Sequence, residues 1–137
     1  MLTLGFQTKK YKYDFTVMIA SCFESDSLDI KVNGQDIISD VIATSDFSTG
    51  ATKVFLYQAE DGLFVFWENN SKKRLNRLEF KRNITIAIFI NGTKTTKTID
   101  LKKGKIILVD NCSVKAENGQ TSKQVTFGQF KKQVTLE

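Results

Sequence analysis

The chain has no proline, no histidine, two cysteines and a single tryptophan in 137 residues. Without proline no turn can be pre-set at φ near −65°, so chain reversals fall to Gly, Asn, Asp and Ser. Without histidine the commonest general base is gone, and with it the only side chain whose unperturbed pKa lies between pH 5 and 8. Proton chemistry is left to carboxylates, lysine, tyrosine or cysteine. Cys22 and Cys112 are too few for a disulfide framework, and neither stands in a CxxC or Cys/His spacing that holds zinc. Free cysteine is commonly interior, so two small buried side chains are expected, with a bridge between them as the alternative.

Signatures of catalysis are missing as well. There is no G-x-S-x-G elbow, no P-loop, no G-x-G-x-x-G and no Ser/His or Cys/His pairing. A carboxylate pair such as Glu60 with Asp61 or Glu68 could in principle work as acid and base, but these residues flank a tight turn. The expectation is a non-enzymatic protein without cofactor or metal. No apolar run approaches the length of a membrane span, and the opening "MLTLGFQTKKYKYDF" lacks the basic and then apolar regions of a signal peptide. A soluble protein, cytoplasmic by default and extracellular if a leader was removed, is expected. Four N-x-S/T sequons, at Asn69, Asn83, Asn91 and Asn111, exceed the one or two that chance gives at roughly this composition, and keep the extracellular reading open.

What is present is β patterning. The composition is 41% hydrophobic and 26% charged, within the globular range. A chain of this size buries roughly 68% of its extended surface and suits one domain, residues 1–137. In "YKYDFTVMI", Tyr11, Tyr13, Phe15, Val17 and Ile19 fall on one face; in "ITIAIFI", Ile84, Ile86, Ile88 and Ile90 do the same. Asn-Gly in "KVNGQD" and "FINGTK", Asp-Gly in "QAEDGLF", Lys-Gly in "LKKGKII" and Asn-Gly in "KAENGQT" mark five turns between such runs. The fold class is therefore all-β: an antiparallel β-sandwich, immunoglobulin-like or jelly-roll-like, of roughly 8–10 strands with at most one short helical turn. That turn, if present, is placed in "SKKRLNRLEF". Cys22, Trp67 and Cys112 follow the order of the immunoglobulin hallmark, but the cysteines stand too far apart for its usual bridge and no Tyr lies two before Cys112. Lys-Gln-Val-Thr occurs twice near the C-terminus and reads as two strands sharing a β-favouring tetrad.

Charge is unevenly spread. Residues 1–60 hold 5 basic and 8 acidic side chains, residues 61–137 hold 15 and 7. The densest basic stretch, "SKKRLNRLEFKR", offers Lys72, Lys73, Arg74, Arg77, Lys81 and Arg82 to phosphates, with Phe64, Phe66 and Trp67 as rings on which bases stack. Against this, "LFVFW" is an unbroken apolar run that reads as buried on both faces, and lysines gather on sheet edges to prevent edge pairing. In "FESDSLD", Glu24, Asp26 and Asp29 offer oxygen ligands to calcium, in a spacing that more simply makes a solvated turn. Tyr57 and Trp67 present flat faces, and Asn69 and Asn70 donors and acceptors, for a sugar. The reading reached is a binding module that recognises a protein or carbohydrate through loops or a sheet face, with nucleic acid or another polyanion on the basic stretch as the alternative. Self-association through an open sheet edge is compatible with either.

Overall fold

A computed structural model describes residues 14–68 and 71–131. Its strands are β1 (Phe15–Ile19), β2 (Asp26–Val32), β3 (Gln35–Ala43), β4 (Phe55–Ala59), β5 (Gly62–Trp67), β6 (Ser71–Leu75), β7 (Asn83–Ile90), β8 (Thr93–Asp100), β9 (Ile106–Lys115) and β10 (Thr121–Phe130). They form two sheets packed face to face, one of six strands in the order β10-β9-β1-β4-β5-β6 and one of four in the order β3-β2-β7-β8. This is the expected all-β sandwich. Tyr11 and Tyr13, Asn69 and Asn70, and the second Lys-Gln-Val-Thr lie outside the described residues.

Alternation makes the core. Phe15, Val17 and Ile19 of β1 are buried while Thr16 and Met18 are half-exposed, and β2 and β7 repeat the pattern with Leu28, Ile30 and Val32 and with Ile84, Ile86, Ile88 and Ile90. Apolar side chains at every second position fill the space between the sheets, and their burial is the main force holding the layers together. Asn33-Gly34 and Asn91-Gly92 close two-residue hairpins with φ positive at both positions, the backbone geometry of a type I′ turn. In β3 the pairing slips between Ile38 and Asp36, and this irregularity lets the successive residues Ile37 and Ile38 both be buried.

The segment expected to hold a helical turn is instead strand β6 followed by a crossover to the second sheet. The short helical piece is a 3-10 turn at Leu101–Lys103, started by the Asp100 carboxylate accepting from the Lys102 N–H. The crossover is held by the fully buried amide of Gln58. Its Nε2 donates to the Leu78 carbonyl (3.1 Å) and to Asp14 (3.0 Å), and its Oε1 accepts from the Leu78 N–H (2.7 Å).

One pairing departs from antiparallel. β9 runs parallel to β1, from Ile106 opposite Thr16 to Val109 opposite Ile19. Those partners are 90 residues apart, and so are Cys22 and Cys112. Beyond the ladder the same register continues, with the Ala20 N–H donating to the Val109 carbonyl and the Asn111 N–H to that of Ser21. The next side chains in step are the two cysteines, which form a disulfide with Cα atoms 4.9 Å apart. The expectation of two separate buried thiols is thereby corrected: both cysteines are partly exposed and bridged.

Two substitutions test this description. Ile86 is fully buried between the sheets, so Ile86→Asp should cost at least about 4 kcal/mol and abolish the cooperative melt seen by circular dichroism. A wild-type melting temperature would put Ile86 on the wrong face. Because the bridge closes a long loop, replacing both cysteines by serine should lower stability by about 2–4 kcal/mol in denaturant titrations, and a midpoint unchanged by the double substitution would count against the bridge.

Candidate functional site

Among the described residues β6 is an edge strand, paired on one side only, with β5. Its exposed residues Lys72, Lys73 and Arg74 occupy the position at which charged side chains discourage a second chain from adding to a sheet. Register decides where each points. Lys72 stands opposite Phe66 and Arg74 opposite Phe64, while Lys73 stands opposite buried Val65, with its ammonium 5.8 Å from the Trp67 ring centroid. The basic stretch is thus split between two faces.

It is split again further along. Arg77 is committed to the Ala59 carbonyl and the Asp14 carboxylate. Arg82 grips Asp100 with two parallel bonds, Nε to Oδ1 at 2.9 Å and Nη2 to Oδ2 at 2.8 Å. Lys81 is exposed on the crossover. Of the six cations, the fold brings Lys72 and Arg74 together on one face, and it spends Arg77 and Arg82 on holding the ends of strands.

Tyr57 and Trp67, paired in the sugar reading, are not brought together. Tyr57 lies opposite Phe64 and stacks on it (5.2 Å between centroids), on the outer face of the six-stranded sheet. Trp67 falls with Val65 on the inner face and packs against the core. The unbroken apolar run of β5 also proves to be only partly buried. Leu63 and Val65 are fully enclosed, whereas Phe64 and Phe66 are half-exposed and stack on Tyr57 and Phe55.

Those four rings belong to a larger apolar surface. Met18 of β1, Ile106 and Leu108 of β9 and the exposed Phe130 of β10 share the same outer face by register. No other described strand lies over it. The outer face of the four-stranded sheet is of another kind, presenting Thr85, Thr96 and Thr98 and one ring, Phe89, flanked by the ammonium groups of Lys31 and Lys94.

The acids of "FESDSLD" diverge. Glu24 pairs with Lys123 (3.4 Å), buried Asp26 accepts from the Glu24 N–H and from Asn91, and Asp29 accepts from the Asp40 N–H. Among the described residues no cluster of three or more His, Cys, Asp or Glu side chains is arranged to hold a metal ion, and no helix is long and apolar enough to cross a membrane. Glu68 lies beyond the end of β5 opposite to Glu60 and Asp61, so the strand separates these carboxylates by about 20 Å, well past the spacing of a glycosidase pair. Of the sequons, Asn83 is exposed, Asn91 uses its side chain to bind Ser27 and Asp26, and Asn111 is buried.

Sequence patterning missed one exposed group. Phe47 stands fully in solvent at the tip of a loop ordered by Asp46, whose carboxylate accepts from the Ser48 hydroxyl and N–H and is held below its ordinary pKa by those bonds. Nothing in periodicity marks a ring within "TSDFSTG" as outward-facing. Comparison of the chain with protein-family models, with curated proteins and with solved structures gave no match.

The Arg82–Asp100 pair yields a pH prediction. The guanidinium bonds of Arg82, and then the Lys102 N–H, hold the Asp100 carboxyl down to about 2. A folded-state pKa below the unfolded one stabilises the fold above about pH 4, and the contribution is lost as pH falls from there through about 2. Carbon-detected NMR titration should find Asp100 ionised to about pH 2, and in Arg82→Gln its midpoint should move up toward that of an ordinary aspartate. A midpoint indifferent to Arg82 would remove the pair from this account.

Proposed function

We propose that the protein is a non-enzymatic binding module that docks a protein partner on the outer face of its six-stranded sheet. The observation carrying this reading is the contrast between its two outer faces. One is threonine- and lysine-rich, as solvent demands; the other carries Met18, Phe55, Tyr57, Phe64, Phe66 and Leu108 side by side. Contiguous apolar surface rimmed by polar groups marks interaction sites on folded domains, and aromatic rings and methionine are enriched at their centres. Lys72 and Arg74 rim one end of the face, which favours a partner whose own apolar patch is bordered by acidic residues. The face offers few uncommitted polar groups at its centre, and so serves a sugar poorly. A disulfide persists in oxidising compartments, which favours a meeting outside the reducing cytosol.

A second reading is supported by one specific juxtaposition. Lys72 beside Phe66 and Arg74 beside Phe64 put cations and partly exposed rings on one face, the combination that holds single-stranded nucleic acid.

Both readings are open to direct test. A photoreactive phenylalanine analogue at position 66 should trap one dominant protein from an extract of the source organism. That adduct should be absent when the probe sits at position 98 on the opposite face, and should vanish when Phe55 and Leu108 are both changed to lysine in a protein that still folds. Equal labelling from positions 66 and 98 would count against the docking face. For the second reading, the association constant for a fluorescent oligothymidine, measured by anisotropy, should fall log-linearly with salt, with a slope of roughly −0.7 per phosphate contact, and Lys72→Ser with Arg74→Ser should abolish binding. Binding that ignores salt eliminates it.

A further inference from the structure

Three polar side chains are buried among the described residues: Asp26, Gln58 and Asn111. Gln58 has both ends of its amide bonded, and Asp26 accepts at both oxygens. Asn111 is different. Only 5% exposed, it follows Ile107 and Val109 on the inner face of β9, yet its side-chain amide meets no hydrogen-bond partner among the described residues. A buried amide left without a hydrogen bond is costly, and native folds rarely keep one without a reason.

The amide lines a cleft of about 400 Å³ between the two sheets, bordered by β8 and β10, each an edge strand among the described residues. Thr93 and Thr95 of β8 line it too, standing opposite the core residues Ile90 and Ile88, and their hydroxyls also lack partners among the described residues. Val125 of β10 supplies an apolar wall. Two charges border the cleft, and both are engaged. Asp26 is held by the Glu24 N–H and Asn91, while the Lys123 ammonium donates to the Cys22 carbonyl (2.8 Å) and pairs with Glu24 (3.4 Å). An anion or a cation entering here finds no uncommitted counter-charge. Gln124 also lines the cleft, but register puts it on the face of β10 opposite to Val125; on the inner face the uncommitted groups are the Asn111 amide, able both to donate and to accept, and two hydroxyls.

We propose that this cleft is a binding site for a neutral, hydroxyl-rich ligand, a sugar residue, recognised by the Asn111 amide with Thr93 and Thr95 and resting its C–H face on Val125. The volume lies within the range of ligand pockets, and a few convergent polar groups set against apolar wall are what such pockets use to fix orientation. A peptide strand adding to the β8 or β10 edge would bond the backbone along the rim and leave the inward side chains unmet. The site shares no residue with the apolar outer face and stands or falls separately from it.

The test is a ¹H–¹⁵N NMR titration with glucose, galactose, mannose, N-acetylglucosamine and their β-1,4-linked oligomers. At least one should shift the Asn111 side-chain amide and the Thr93 and Thr95 resonances saturably. Asn111→Leu should weaken that binding at least tenfold while melting at or above the wild-type temperature, because the amide it removes has no partner among the described residues. The proposal is overturned if no sugar in the panel moves these resonances saturably, or if Asn111→Leu binds as tightly as wild type. It is likewise overturned if Asn111→Leu melts far below wild type, which would make Asn111 a structural group, or if a trialanine control titrates the same resonances with equal affinity.

Discussion

β1 and β9 lie side by side although 90 residues separate each pair of partners, and much of the rest depends on that one parallel contact. β1 sits inside the six-stranded sheet, flanked by β9 and β4, so its hydrogen bonds on one side stay unmet until nearly the whole domain has been laid down. Closing so long a loop carries a large entropic cost, which only the hydrophobic contacts and the bridge at Cys22–Cys112 offset. The bridge lies just beyond the last ladder pair and in the same register, holding β9 against the end of β1. β9 has ten residues to β1's five, and the overhang carries Asn111 past the point where its partner strand has ended. An inner-face position that the alternation would give to an aliphatic residue thus falls at the mouth of the sandwich, where an amide can be tolerated.

The uneven charge of the chain becomes an uneven charge of the fold, though not as two lobes. In the four-stranded sheet the early strands β3 and β2 carry Asp26, Asp29, Asp36 and Asp40, and the late strand β8 at the opposite edge carries Lys94 and Lys97. In the six-stranded sheet the early strands β1 and β4 are interior and largely uncharged, with the cations displaced to β6 at one edge. Exposed edges thereby carry charge, which discourages edge-to-edge pairing, and the apolar outer face is left between a basic rim and β10. Charge placement and apolar exposure are thus two consequences of one strand order.

Local pattern revealed what is local. Period-two alternation places Phe15, Val17 and Ile19, or Ile84 through Ile90, on one side of their strands, and Asn-Gly pairs announce their own hairpins because their φ angles are set within two residues. Relations between strands are set by register and order, which alternation within a strand does not encode. Tyr57 and Trp67 look like neighbours in composition and stand on opposite faces, because Tyr57 pairs with Phe64 and Trp67 lies three positions, an odd step, further along the strand. The partners of Arg77 and Arg82, and the bridging of two cysteines whose spacing resembles no usual bridge, come from the same source. The apolar run of β5 shows the limit most plainly. Equal hydrophobicity on both faces signals burial on both, yet in this two-layer fold Leu63, Val65 and Trp67 face the core while Phe64 and Phe66 do not.

That excess hydrophobicity and the unpartnered Asn111 are opposite departures from one rule, apolar inside and polar outside. Each works against stability or solubility taken alone, since an exposed aromatic strip invites association and a buried orphan amide forfeits its bonds to water. Both depend on β9, where Leu108 points out onto the aromatic face and Asn111 points in to the cleft three residues later. Functional sites are where locally consistent folds break their own rules. A strand held along its first four residues by a parallel partner and near its middle by a covalent bridge keeps both departures in fixed geometry, the pre-organisation that lowers the cost of binding.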